Sequence, residues 1–90
     1  MNNTQPNFAL SSRKTKKYMV ITPSNNIVHF GDRRYQQFHD KLGAYSHLDH
    51  NDPERRQRYL KRAKGIRNKD GKLTWKDKES ANYYAVKYLW

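Results

Sequence analysis

Two short β-branched and aromatic runs stand out near the start of the chain. They are Tyr18-Met19-Val20-Ile21-Thr22 and Ile27-Val28-His29-Phe30, and Pro23-Ser24-Asn25-Asn26 lies between them. Runs of this kind around a Pro/Asn turn predict a β-hairpin. Gly31 follows and is expected to take an unusual backbone angle that ends the second strand. The spacing of Tyr35, Phe38 and Leu42 then predicts a short helix over 32–42, with Gly43 as its stop. Residues 44–51 are expected to be a loop.

Asp52-Pro53-Glu54 reads as a helix start. Asp52 suits the cap, Pro53 the first helical position, and Glu54 the positive end of the helix dipole. The helix runs to Lys64, with Gly65 placed to close it. Tyr59, Leu60 and Ala63 fall on one side with Arg56 among them. Arg55, Arg58 and Arg62 share another side, flanked by Lys61. A basic loop over 66–72 holds an Asp70-Gly71 turn, and Leu73-Thr74-Trp75 reads as a short extended piece. From about Lys78 a stripe of Ala81, Tyr84, Ala85, Tyr88 and Leu89 predicts a last helix. Residues 1–16 carry neither helix nor strand period and read as a flexible polar and basic arm outside one domain over 17–90. The expected fold is α+β: an N-terminal hairpin packed on two or three short helices. Its expected core is Tyr18, Val20, Ile27, Phe30, Phe38, Tyr59, Leu60, Tyr84, Tyr88 and Leu89.

Composition explains why that core leans on aromatics. Only 34% of the 90 residues are hydrophobic, so seven Tyr, three Phe and two Trp must supply most of the buried area. With no cysteine, neither a disulfide nor a thiolate metal site can brace the fold, which fits a reducing compartment. No apolar run approaches the ~20 residues of a membrane span, and Met1 to Ser12 lacks the pattern of a secretory signal. The reading is a soluble protein, intracellular or carried inside a particle, with no membrane partner.

Charge carries the strongest functional signal. Lys and Arg number 19 against eight acids, a formal net charge of +11. A compact domain so charged repels itself, and a polyanion relieves the repulsion. From Arg55 to Lys72 there are nine cations and one acid, and a second cluster lies at Arg13, Lys14, Lys16 and Lys17. The expected phosphate-contacting residues are therefore Arg13, Lys14, Lys16, Lys17, Arg55, Arg58, Lys61, Arg62, Arg67 and Lys69. The expected partner is nucleic acid, DNA ahead of RNA. Tyr35, Tyr59 and Trp75 stand beside cations and are candidates for base stacking, although most aromatics of so polar a chain belong to the core.

Other chemistries find less support. His39, His47, Asp49, His50 and Asp52 fit no metal-ligand spacing and read as turn and capping groups. The chain shows no phosphate-cradling glycine loop, no nucleophile with its base and no carboxylate pair. His29 reads as a strand-end side chain. A non-enzymatic protein without cofactor, metal or small-molecule substrate is expected.

The residues also carry a resemblance. His29-Phe30-Gly31, Tyr35, Asp52, Arg55-Arg56, Tyr59-Leu60, Arg62, Ile66, Gly71, Asn82-Tyr83-Tyr84 and Leu89-Trp90 follow in a characteristic order. This pattern over about 17–90 resembles a family of small basic proteins of unassigned function encoded by large nucleocytoplasmic DNA viruses and some related phages. The resemblance implies a viral context, in a virion or in the cytoplasm and viral factories of an infected cell. It brings no catalytic residues. In that context two roles stand side by side: binding or packaging a genome, or serving as a minor capsid or core component that meets acidic protein surface.

Overall fold

A computed structural model describes residues 7–90. Three antiparallel strands come first: β1 (Asn7–Leu10), β2 (Lys16–Ile21) and β3 (Ile27–Asp32), in sheet order β1-β2-β3. Two α-helices follow, α1 (Pro53–Ala63) and α2 (Ala81–Tyr88), with single 3-10 turns at Ser46–Leu48 and Thr74–Lys76. The α+β architecture with an N-terminal hairpin is as expected.

Register explains which residues enter the core. Phe8 pairs with Val20 and Val20 with Val28, while Leu10 pairs with Tyr18 and Tyr18 with Phe30. Side chains alternate across a strand, so these six share one face. Tyr18, Val20 and Phe30 are buried there against Tyr84, Ala85 and Leu89 of the α2 segment. The other face carries Ala9, Met19, Ile21, Ile27 and His29, and Ile27 is 62% exposed. Ile27 was expected in the core; strand parity sets it outside. Phe38, Tyr59, Leu60 and Tyr88 are only half-buried, whereas Ala63 and Ala85 are buried. Small side chains let α1 and α2 approach their neighbours closely.

The flexible arm needs a correction. Residues 7–10 form β1, and the Phe8 ring lies 6.0 Å from Phe30, 6.3 Å from Tyr84 and 4.7 Å from Tyr88. Ser11 to Thr15 is a turn between β1 and β2, closed by Ser11 N–H to the Lys17 carbonyl and Lys16 N–H to the Arg13 carbonyl. Residues 1–6 lie outside the described residues. One apolar side chain, Phe8, anchors a strand whose composition otherwise looks polar. Phe8→Ala is therefore expected to cost about 2–4 kcal/mol, somewhat below a fully buried phenylalanine. Urea unfolding checks this, and an unchanged midpoint would show that β1 does not support the fold.

The helix expected over 32–42 is also absent. Its acidic side chains take the backbone amides that a helix would need. Asp32 accepts from Arg34 N–H, and Asp40 from Leu42 and Tyr45 N–H. Asp49 accepts from Asp40 N–H. Asp residues that bond amides two positions on favour turns over helix. The Tyr18 hydroxyl donates to the buried Asp40 at 2.5 Å, which ties this loop to the core. Burial first, then the Asp40 bond, pushes the Tyr18 pKa well up. The loop in turn finishes α2: His39 and Lys41 N–H donate to the carbonyls of Leu89 and Tyr88.

The start of α1 follows its sequence signal. Asp52 accepts from Glu54 and Arg55 N–H, and Pro53 is the first helical residue. Lys64 and not Gly65 is the C-cap. Leu73 forms an isolated bridge with Arg67, but Thr74–Lys76 is a 3-10 turn and not an extended piece. Glu79 joins the two ends of the fold, accepting from Thr22 Oγ1 and Ser24 N–H in the hairpin turn.

Two histidines are expected to make the fold acid-sensitive. His29 Nδ1 bonds Ser11 Oγ at 2.7 Å, and His50 Nδ1 accepts from Asp52 N–H at 2.9 Å. Burial holds both below their ordinary value near 6.5, with Arg13 and Lys16 acting on His29. Arg55 adds to the effect on His50, and Asp52 and Asp49 oppose it. In the unfolded chain each takes its proton near 6.5, so the unfolded state binds more protons just below that pH. Stability is therefore expected to fall as pH drops from about 6.5 through the folded values. Urea midpoints at about pH 7.5 and about pH 5 check this, and replacing both by Gln should flatten the difference.

Candidate functional site

The site is built by two stretches far apart in sequence. On α1, Arg55, Arg58 and Arg62 follow at spacings of three and four, which puts them on one face with Tyr59. The end of β3 and the turn after it present Gly31, Asp32, Tyr35 and Gln36 opposite. Between them is a cleft of about 580 Å³, which Lys16 of β2 and Trp90 also line. Five cations thus converge (Lys16, Lys17, Arg55, Arg58 and Arg62) against one carboxylate, Asp32. Arg34 pairs with that carboxylate at 2.8 Å and holds its pKa down to about 2.

The cations are not consumed by internal ion pairs. Among the described residues the salt bridges are Arg34–Asp32 and His39–Asp49. Arg55 donates to the Gln36 amide oxygen at 2.9 Å. The Arg62 guanidinium lies 6.0 Å from the centre of the Tyr59 ring. Tyr59 stacks on Trp90 at 4.0 Å with 7° between the planes. Arg56 donates to the Trp90 carbonyl, which pins that residue at the cleft floor. Burial pushes the Tyr59 pKa up, and Arg62 works against it.

Lys17 corrects an expectation. It was counted among the phosphate contacts, yet it is 1% exposed. Its ammonium donates to the Tyr35 carbonyl at 2.9 Å and to the Gln37 side-chain oxygen. Burial lowers its pKa, and Asp40, Asp32 and Asp49 partly offset this without contacting it. Gln37, fully buried, passes the link on to the Tyr45 carbonyl and to Asp49. Lys17 is thus a positioning residue, fixing the wall that carries Tyr35 and Gln36.

Of the other expected contacts, Lys16, Arg55, Arg58 and Arg62 come together at the cleft. Arg13 and Lys14 sit exposed on the β1–β2 turn, and Lys61 is exposed on α1. Arg67 and Lys69 lie in the 66–73 turn, where Arg67 donates to the Gly71 carbonyl. Gln36 and Trp90 are cleft residues that carried no charge signal. The motif of histidines and acids does structural work: Asp49 ties Gln37, His39 and Asp40 together, and Asp52 caps α1. Among the described residues no three His, Cys, Asp or Glu side chains gather as metal ligands, and no helix is long and apolar enough to cross a membrane.

Fold and site together define a small α+β domain with a basic, aromatic-floored cleft between sheet and helix. The chain belongs to a family of unknown function (DUF5754), whose match covers residues 7–63. That span includes all three strands, the pinned loop and α1, and so takes in both walls of the cleft. No curated protein and no solved structure matches the chain.

Proposed function

We propose that this protein binds nucleic acid without catalysing a reaction, and that the cleft between α1 and the β3 turn is its phosphate-binding surface. The observation that carries this reading is the convergence of Lys16, Arg55, Arg58 and Arg62 on one concave surface, where among the described residues no side-chain carboxylate pairs with any of them. A cation cluster left unneutralised costs self-repulsion, and a phosphate backbone removes that cost while releasing its condensed counterions. Arg also makes forked contacts to phosphate oxygens that Lys cannot. Lys61, Arg13 and Lys14 extend the positive surface beyond the cleft. DNA stands ahead of RNA because the sequence pattern points to a DNA virus, and genome binding or packaging in a virion or infected cell is the role that follows.

A second reading keeps the viral context but gives the cleft an acidic protein surface, making the chain a minor capsid or core component. The exposed Ile21 and Ile27 on the open sheet face give that reading its apolar contact. Retention of the purified protein on immobilised DNA and RNA separates the two. Retention on nucleic acid that is lost with rising salt supports the first reading. Salt-resistant binding to a capsid protein with no retention on nucleic acid would replace it with the second.

A further inference from the structure

All twelve aromatic side chains lie among the described residues, and eleven of them are buried or half-buried. The exception is Tyr35, 65% exposed, and it stands on the wall of the basic cleft. In a chain this short of apolar area, leaving one large ring in solvent gives up core stability. Tyr35 is nevertheless held from behind through its backbone. Its carbonyl accepts from the buried Lys17 ammonium, its N–H donates to the Asp32 carbonyl, and the Arg34 guanidinium lies 5.6 Å from its ring centre. Among the described residues this lysine has no carboxylate partner, and it fixes the backbone that carries the exposed ring.

We infer that the cleft takes one unpaired nucleotide of a single strand, with its base stacked on Tyr35 and its phosphate held by Arg58, Arg62 and Lys16. This rests on the nucleic-acid reading above and narrows it. The cleft's 580 Å³ lies within the roughly 300–1,000 Å³ that holds one small ligand. A duplex keeps its bases stacked inside and offers a convex backbone, which rests on the rim of such a cleft and does not enter it. An unpaired base enters and finds an aromatic face beside cations, the combination that recognises single strands. Gln36, whose side chain is oriented by Arg55, places a fixed amide beside the ring, able to meet a base edge.

The test is fluorescence anisotropy of the full chain with a labelled oligothymidylate and with a mixed-sequence duplex of equal length, at matched salt. Tyr35→Ala is expected to weaken single-strand binding by roughly 5- to 150-fold, the range for losing one base stack, and to leave duplex binding unchanged. Tyr35→Phe should bind like the native chain. A Tyr35→Ala chain that binds single strand as tightly as the native one, or loses both nucleic acids equally, overturns this inference and leaves nucleic-acid binding standing. If the native chain retains neither nucleic acid at about 0.1 M salt, both readings fall together.

Discussion

Replacing Arg55, Arg58 and Arg62 together by alanine is expected to weaken nucleic-acid binding by roughly two to three orders of magnitude at about 0.1 M salt. The estimate comes from counterion release, in which each neutralised phosphate contributes about 0.7–0.9 to the slope of log K against log salt. The three share one helix face and one cleft, so a backbone tracked through it loses three contacts at once. The loss should be the same for unrelated sequences, because phosphate contacts fix position and carry no sequence information. Among the described residues none of the three is ion-paired, and the ties lost are Arg55 to Gln36 and Arg62 over the Tyr59 ring. The fold should therefore survive, and a near-native urea midpoint is the control. Alanine at Arg67, Lys69 and Lys72, which lie away from the cleft, removes the same charge and should cost far less. Equal losses from the two triple variants would mean that total charge matters and the cleft does not.

The largest effect on stability is expected at Gly31. Its φ of +76° lies in the left-handed region, where a side chain is strained by about 1–3 kcal/mol. A Cβ there would also stand 2.9 Å from Leu89 Cδ1 and 3.1 Å from Lys17 Cβ and Cδ. Leu89 is 1% exposed and Lys17 is fixed at both acceptors, so neither can move aside cheaply. Overpacking a core position adds about 1–3 kcal/mol. Gly31→Ala should therefore lose about 3 kcal/mol or more, from a total that for small domains is about 5–15 kcal/mol. In a domain of this size that lowers the melting temperature by roughly 12–24 °C. Scanning calorimetry reads it directly. A loss below about 1 kcal/mol would show that Leu89 and Lys17 rearrange freely, and that the cleft floor is not rigid.

What could be seen in the sequence divides along a physical line. Local signals translated directly: Pro23 to Asn26 is the hairpin turn, Asp52-Pro53-Glu54 starts α1, and Gly31 has its positive φ, although β3 does not end there and runs through Asp32. The common face of Arg55, Arg58 and Arg62 followed from helical period alone. The failures were non-local. Tyr35, Phe38 and Leu42 have helical spacing, but Asp32, Asp40 and Asp49 redirect the backbone amides through partners the spacing does not show. Asn7 to Leu10 looked like an arm because only Phe8 announces a strand, and its partners Tyr84 and Tyr88 are over seventy residues away in the chain. Lys17 looked like one more cation of a basic cluster. Strand pairing and the Gln37 loop bury it, and nothing near it in sequence signals that. Trp90, beyond the end of α2, reached the cleft through its stack on Tyr59 of α1, a contact that periodicity cannot pair.

Cations that neutralise phosphates in one cleft are counted directly by the salt dependence of binding. Affinity for a single strand and for a duplex would be measured over a series of salt concentrations for the native chain. Lys16, Arg55, Arg58 and Arg62 give four contacts to a strand that enters the cleft, so the slope of log K against log salt should be at least as steep as about −2.8 for single strand. The Arg55, Arg58 and Arg62 triple variant should lose most of that slope. A native slope near zero, or a slope the triple variant leaves unchanged, would contradict phosphate binding in the cleft.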